Sequence, residues 1–282
     1  MDARKLYERL EKDFVNPEMV DDWAEDMGPI ADLIAEGFMA RSIGVACDFT
    51  ETVTQVRTAV FPSTRVMQAI LDEGVTDAML YVHHAATWDI RQLPTFRQMD
   101  RNLLEEFRAR RISVFAHHLP LDNYGEYSTS RTLAEAIGLK PEKAFCRETG
   151  ATYGVIGSGT MRSVRELQEA LAGVVGHRAS LYPYGDPGIP GGRVAVVAGG
   201  GHSVSVLRDV MAEGVNVLVT GISLLNDHSR SAHNFSRDHR INVLGGTHYS
   251  TEAPACRAMC RYFADLGLPA RFVPDDPVLG DL

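Results

Sequence analysis

The sequence is poor in the features that mark secreted and membrane proteins. It has four cysteines in 282 residues, without a C-x-x-C pair or a framework spacing, so a disulfide scaffold is not expected. Residues 1–5 lack the apolar core of a signal peptide, and no apolar run approaches membrane-spanning length. We therefore expect a cytoplasmic protein in a reducing compartment, with no membrane partner.

Positive charge is also scarce. The chain carries 28 Lys and Arg against 37 Asp and Glu, which gives a net charge of −9. Proteins that bind nucleic acids by neutralising phosphates concentrate Lys and Arg on one face, so a nucleic-acid partner is disfavoured. Hydrophobic residues make up 45% of the chain, which is enough for a substantial core in one large domain or two modest lobes.

An apolar run over residues 78–82 stops at two adjacent imidazoles, His83 and His84. The run is typical of a buried strand, and open α/β sheets bind ligands at the C-terminal ends of their strands. Side chains alternate along a strand, so both histidines can reach one site only if the chain turns within residues 85–88. On that condition His83 and His84 are candidate metal ligands.

Two more predicted strands end in similar groups. The strand at 112–116 runs into His118, with Asp122 four positions later, and the strand at 241–244 leads to His248, with Glu252 four positions later. A spacing of four places both side chains on one face of a helical turn. Three strand ends therefore supply imidazoles or carboxylates and no thiolate.

This donor set indicates a catalytic metal site. Nitrogen and oxygen ligands without sulfur suit Mn, Fe or Zn, and a carboxylate such as Asp122 or Glu252 can bridge two ions about 3.5–4 Å apart. Each histidine taken alone is more often a hydrogen-bonded or surface residue. That interpretation is kept for four of them, His177, His228, His233 and His239. The glycines at 199–201 can offer N–H groups to a phosphate, but their use in a tight turn is favoured.

The alternation of strands, glycine-rich loops and helices in both halves predicts an α/β fold. We expect a first lobe from residues 1–145 plus 240–282, carrying most of the candidate ligands, and a second lobe from 146–239. Two local expectations matter below. Residues 50–56 fit the start of a helix, and residues 95–110 fit a charged amphipathic helix.

Three motifs together resemble a known family. They are Val82-His83-His84, His118-x-x-Leu121-Asp122 and Gly246-x-His248-Tyr249-x-x-Glu252. The combination resembles the Nif-three-like family of dinuclear-metal proteins, whose members are often named GTP cyclohydrolase I type 2 homologues. The segments 44–48 and 217–221 extend the resemblance over most of the chain.

The resemblance implies a ligand set, a fold and an assembly. It implies that two divalent transition-metal ions (Fe, Zn or Mn) are held by five residues, His83, His84, Asp122, His248 and Glu252. It also implies two similar three-layer α/β lobes with the site in the cleft between them, and a ring-shaped homohexamer. Ala85 and Ile222 depart from the family pattern, where Pro or Gly and an acidic residue are usual, so the substrate need not be the family's.

The leading functional hypothesis is a metal-dependent hydrolase acting on a small molecule. The resemblance suggests a nucleotide or pterin-like substrate, with ring-opening hydrolysis of GTP as the named activity. His118 is the acid/base candidate, because an imidazole can shuttle protons near neutral pH, and a ligand-orienting hydrogen bond is its equal alternative. The alternative from another class is a metal-binding scaffold or regulatory interaction protein without turnover.

Overall fold

The computed structural model of the chain describes residues 1–88 and 96–282. The α-helices are α1 (Ala3–Phe14), α2 (Glu36–Arg41), α3 (Thr64–Asp72), α4 (Arg101–Ala109), α5 (His118–Asp122), α6 (Thr129–Ala136), α7 (Val164–Val175), α8 (Val204–Ala212), α9 (Arg230–Asp238) and α10 (His248–Asp265). Short 3₁₀ helices cover Trp23–Leu33, Pro190–Gly192 and Leu279–Asp281. Among the described residues, no helix is both long and apolar enough to cross a membrane.

The strands form two large sheets and one short ribbon. They are β1 (Gly44–Cys47), β2 (Gln55–Ala59), β3 (Ala78–Val82), β4 (Thr87–Trp88), β5 (Phe96–Arg97), β6 (Ile112–Ala116), β7 (Lys140–Glu148), β8 (Ala151–Ser158), β9 (Ser180–Tyr182), β10 (Arg193–Val197), β11 (Val217–Thr220), β12 (Asn242–Gly245) and β13 (Ala270–Phe272). The predicted α/β class is confirmed.

The chain divides into two compact units. The first comprises Met1–Leu121, Thr149–Ala151 and Cys256–Asp276, and the second comprises Asp122–Glu148, Thr152–Ala255 and Pro277–Leu282. The strand β12 pairs within the sheet of the second unit, whereas the sequence-based division assigned it to the first lobe. The proposed lobes at 1–145 plus 240–282 and at 146–239 stay a prediction about folding domains.

The first unit contains a five-stranded sheet in the order β1-β6-β3-β2-β13. The strands β6, β3, β2 and β13 are parallel to one another, and the edge strand β1 runs antiparallel to β6. The strand β3 is buried along its whole length, as its apolar run predicts. Val82 of β3 pairs with Ala116 of β6, so these neighbouring strands end level and their following histidines emerge at one edge.

Two local expectations for the first unit are wrong. Residues 55–59 are the strand β2 rather than a continuing helix, and Thr50 donates to the Thr52 carbonyl at 2.8 Å instead of capping a helix. The spacing of Val53 and Val56 fits either structure, and the pairing of β2 with β3 and β13 in the sheet decides for a strand. The helix expected over 95–110 begins only at Arg101, capped by Asp100, whose side chain accepts the Leu103 N–H. Residue 95 lies outside the described residues.

The second unit contains a six-stranded sheet in the order β7-β8-β10-β11-β12-β9. Its central strands β10, β11 and β12 are parallel, and β8 and β9 flank them in antiparallel orientation. The helices α7 and α8 are capped by Ser163 and Ser203, whose hydroxyls accept N–H groups of the first turn. The C-terminal ends of the parallel strands lead into three glycine-containing loops, at Gly199, Gly221 and Gly246.

Candidate metal centre

Three histidines of the first unit form a group with the geometry of a metal site. The chain bends directly after Val82, so His83 and His84 converge instead of pointing apart, with ring centroids 4.3 Å apart. His118, the first residue of α5, joins them, and one ring nitrogen of each residue lies within 4.8 Å of the others. His83 and His84 are fully buried. The expected convergence of the paired histidines is therefore present.

A backbone carbonyl orients the His83 ring. Its Nδ1 lies 3.0 Å from the carbonyl oxygen of His117, and a carbonyl only accepts hydrogen bonds, so Nδ1 carries the proton. The lone pair of the ring is then on Nε2, the nitrogen that a metal ion would use. This arrangement, in which one imidazole nitrogen donates to the protein, fixes the tautomer and the ring orientation of a metal ligand.

Two aromatic residues surround the histidine group. Phe61 stacks on His84 with ring centroids 4.7 Å apart and planes inclined by 19°. Trp23 meets His84 and His118 edge-on, at 5.6 and 5.3 Å. These contacts restrict the imidazole rotamers and keep the site apolar. Neither residue is recognisable from the sequence, because an aromatic residue at helical or loop spacing carries no signal for a distant histidine.

Asp21 is a further residue of the site that no sequence pattern indicates. Its Oδ1 lies 3.0 Å from His118 Nδ1, and its Oδ2 accepts the backbone N–H of Leu119 at 3.2 Å. The His118 side chain is 27% exposed, whereas that of Asp21 is 9% exposed. A carboxylate that holds one nitrogen of a partly accessible imidazole is the usual support for a ligand or a general base.

His117, between the strand β6 and His118, is a buried neutral histidine. Burial, together with the positive charge of Arg41 and the neighbouring His83, lowers its pKa from 6.5 to about 3. The Tyr81 hydroxyl lies 3.4 Å from its Nδ1. His117 therefore contributes packing and, through its carbonyl, the orientation of His83.

The second unit supplies an imidazole–carboxylate pair. The helix α10 begins at His248, and one turn later Glu252 faces it, with His248 Nε2 and Glu252 Oε1 3.0 Å apart. The two side chains are only 6% and 4% exposed. The predicted helical spacing does bring them to one face. A buried carboxylate needs a strong partner, which an imidazolium or a metal ion provides.

Glycines at the ends of β10 and β11 make room for this pair. A Cβ atom at Gly199 would lie 2.2 Å from Glu252 Oε1 and 3.1 Å from His248 Nε2, and the φ of Gly199 is +68°. A Cβ atom at Gly221 would lie 2.5 Å from the Gly199 carbonyl oxygen. Only glycine fits at both positions. Residues 198–200 form a turn, as the structural interpretation of the glycine loop predicts.

Asp122 is placed differently from the other candidates. It is the last residue of α5 and is half-buried, and its Oδ1 accepts the Thr129 hydroxyl at 2.6 Å. Within the described residues, the structure does not place it in the group of three histidines. Its assignment as a metal ligand stays a prediction.

The donors present fit a transition-metal ion. They are imidazole nitrogens and one carboxylate, without a thiolate, which is the set that Mn, Fe and Zn accept in catalytic sites. The Glu252 carboxylate and the His248 ring fill the space beside Gly199, so a side chain of any size is excluded there. His and Glu groups that can hold a metal ion are thus present. The number and identity of the ions remain predictions.

Comparisons with known proteins agree over most of the chain. Residues 36–274 match the family described as Duf34/NIF3 (NGG1p interacting factor 3). A protein of Escherichia coli K12 named "GTP cyclohydrolase 1 type 2 homolog" is 30% identical over 226 residues, which cover 78% of this chain and 83% of that protein. A protein of the same name from Halobacterium salinarum is 28% identical over 202 residues, covering 69% of this chain and 74% of that protein.

Solved structures share the fold. The protein ybgI, described as of unknown function, superposes with a TM-score of 0.74 at 22% identity and covers 99% of this chain and 100% of that one. HcgD of Methanocaldococcus jannaschii, in its reduced form, superposes with a TM-score of 0.67 at 21% identity, over 98% of both chains.

Proposed function

The chain belongs to the Duf34/NIF3 family, and on that premise we propose that it is a dinuclear-metal hydrolase acting on a nucleotide or pterin-like substrate. The resemblance drawn from its sequence motifs is confirmed. The relatives are named "GTP cyclohydrolase 1 type 2 homolog" at 23–30% identity, so ring-opening hydrolysis of GTP is the named activity to test first.

The ligands of the proposal are five residues, His83, His84, Asp122, His248 and Glu252. The observation that carries the proposal is the buried pair of His248 and Glu252 beside a glycine whose Cβ position is filled by their atoms. A buried carboxylate costs several kcal/mol unless it is paired, and a bound cation would add to the partner that Glu252 already has in His248. His83 and His84, which lie in one group with His118 in the first unit, support the proposal with two further nitrogen donors.

Bound divalent cations would supply Lewis-acid activation of water and of a carbonyl, amidine or phosphoryl group. The chain's own contribution to proton transfer is the pair of His118 and Asp21. Asp21 lies 3.0 Å from the His118 Nδ1 and orients the ring, and the His118 side chain is 27% exposed, so this imidazole is accessible for proton exchange with substrate or water. His118 is thus the proposed general acid/base, and Asp21 its positioning residue.

The proposal is tested by turnover of a panel of nucleotides and phosphoesters. Protein stripped of metal is reloaded with Mn²⁺, Fe²⁺ or Zn²⁺, and wild type is compared with Asp122→Ala, His248→Ala and the control His239→Ala, which removes an exposed imidazole. The expected result is metal-dependent turnover in wild type and control, and its loss in the two ligand variants. Turnover in wild type no higher than in Asp122→Ala would contradict the hydrolase proposal.

A metal-binding scaffold or regulatory partner protein is the second candidate. The observation that favours it is the complete burial of the His83 and His84 side chains, which suits ions that order the protein rather than meet a substrate. Tight, stoichiometric metal binding without turnover of any member of the panel is the outcome that would select this alternative.

The proposal includes a ring-shaped homohexamer, which the family resemblance implies. Light scattering coupled to size exclusion would then give a mass about six times that of the 31.0 kDa chain. A mass of one or two chains at micromolar concentration would reject the hexamer and leave the metal proposal intact.

A further inference from the structure

A buried carboxylate holds the start of the helix that carries two candidate ligands. Asp281, 4% exposed, accepts the backbone N–H of His248 on its Oδ2 at 2.9 Å. Its own backbone carbonyl accepts the N–H groups of Ser223 and Leu224, at 2.8 and 2.9 Å. One residue therefore ties the loop after β11 to the first residue of α10.

The His248 N–H needs this outside partner. The first N–H groups of an α-helix have no acceptor within the helix, and when they are buried they must be satisfied by another group. The preceding residue, Thr247, has a φ of +63° and uses its hydroxyl oxygen for the Ser250 N–H at 3.3 Å. The Asp281 carboxylate thus acts as a remote helix cap, and its negative charge suits the positive end of the helix dipole.

We infer that Asp281 is a positioning residue that sets the metal affinity of the His248 and Glu252 pair; this rests on the proposed function. The same N-terminal turn of α10 carries both ligands, and it is confined by Gly221, where an added Cβ would lie 2.9 Å from His248 Cα. Loss of the cap lets this turn fray or shift. Because residues outside the ligand set commonly change metal affinity by about 10–100-fold, the effect is measurable.

Asp281 lies in a segment, Pro277–Leu282, beyond the residues that match the family. The contacts of this segment with Ser223, Leu224 and His248 are all within the second unit. The inference therefore concerns a feature of this chain that the family match does not cover.

The test compares Asp281→Ala with Asp281→Asn, which keeps an oxygen acceptor for the His248 N–H and loses the charge. The matched control is Asp265→Ala, an exposed aspartate at the other end of α10. Metal affinity is measured by competition with a chromophoric chelator, using Zn²⁺ and Co²⁺ alone. We expect about tenfold weaker binding in Asp281→Ala, recovery to within about threefold of wild type in Asp281→Asn, and no change in Asp265→Ala.

Two further readouts separate positioning from simple loss of fold. The visible absorption spectrum of the Co²⁺ protein reports ligand geometry, and we expect its bands to shift in Asp281→Ala and to return in Asp281→Asn. Binding is scored on the folded fraction given by circular dichroism. If Asp281→Ala does not fold, Asp281→Ser takes its place with the same expectations, because its side chain is too short to replace the Asp281 carboxylate as acceptor of the His248 N–H.

The outcomes distinguish this inference from the proposed function. If wild type binds metal, His248→Ala loses it and Asp281→Ala binds as tightly as Asp265→Ala, the inference is overturned and the metal proposal stands. If wild type and His248→Ala bind equally or not at all, the proposed ligand set itself is wrong.

Discussion

Gly199 and Glu252 are so close that a Cβ atom on the glycine would stand 2.2 Å from the carboxylate oxygen Oε1. The glycine also has a φ of +68°, a conformation that costs an L-residue about 1 kcal/mol. The chain thus has a glycine in a left-handed backbone conformation at the point where the candidate ligand Glu252 approaches the backbone. Any side chain at this position must displace the Glu252 carboxylate or the β10 loop.

Gly199→Ala should therefore weaken metal binding more than it weakens the fold. The matched control is Gly214→Ala, because Gly214 has a φ of +66° but nothing within 4 Å of its Cβ position. Both variants should lose about 1 kcal/mol of unfolding free energy from the backbone conformation, and Gly199→Ala additional stability from the contact with Glu252. Only Gly199→Ala should lose metal affinity in chelator competition. Equal metal affinity in the two variants would contradict the assignment of Glu252 as a ligand.

Asp21→Asn should reduce turnover while leaving the fold intact. The amide oxygen can still accept the Leu119 N–H, but the neutral side chain no longer supports a positive charge on His118. We expect a fall of about 10–100-fold in kcat/KM, measured on whichever substrate the panel identifies. The neighbouring Asp22→Asn has the same change of charge and is the control. Similar activity of the two variants would contradict the proposed role of Asp21 as the positioning residue of His118.

The sequence predicted the parts of the site that follow from local geometry. The buried run ending at Val82 located His83 and His84, and the four-residue spacing located the facing pair of His248 and Glu252. Each of these signals lies within a few residues of chain, where the period of a strand or a helix directly determines which side chains meet.

The parts that the sequence did not predict depend on long-range pairing. Asp21 is 97 residues from His118, and Trp23 and Phe61 reach the histidines only through the tertiary fold. The position of β12 in the sheet is likewise set by its register with β11 and not by a local pattern. Where local spacing was ambiguous, as with Val53 and Val56, sheet pairing decided the structure.

Phe61→Leu should weaken metal binding at the candidate site without leaving a large cavity in the core. Phe61 is 7% exposed and stacks on His84, and leucine keeps most of its volume while removing the aromatic face. We expect a loss of about 1 kcal/mol of unfolding free energy and a several-fold weaker metal affinity, from a less restricted imidazole. Phe235 lies on α9 of the second unit, and its ring centroid is 4.1 Å from that of the exposed His239, with the planes inclined by 37°. Phe235→Leu is therefore the control for loss of a histidine contact. Equal metal affinity in the two variants would show that Phe61 contributes to packing and not to metal affinity.

A second histidine cluster, in the second unit, should make the fold sensitive to acid. His202 packs edge-on against His233 at 4.5 Å, and His233 lies between the Tyr184 hydroxyl and the Ser223 carbonyl, each 3.0 Å from a ring nitrogen. Burial, reinforced by His233, lowers the pKa of His202 from 6.5 to about 3, and burial also lowers the pKa of His233. Arg237 packs over the Tyr184 ring and adds positive charge on the same side.

The sign of the effect follows from proton binding. Between about pH 6.5 and pH 3 the unfolded chain binds a proton at His202 that the folded chain does not, so the contribution of this residue to stability is complete above pH 6.5 and is lost as the pH falls through this window. Each such histidine adds a slope of up to about 1.4 kcal/mol per pH unit. His202→Gln, which cannot take up a proton, should flatten the dependence of unfolding free energy on pH between 6.5 and 4.5 in urea titrations, whereas His239→Gln at an exposed position should leave it unchanged. Parallel curves for wild type and His202→Gln would show that His202 is protonated as readily in the folded chain as in the unfolded one, because only a difference in proton binding between the two states can produce the slope.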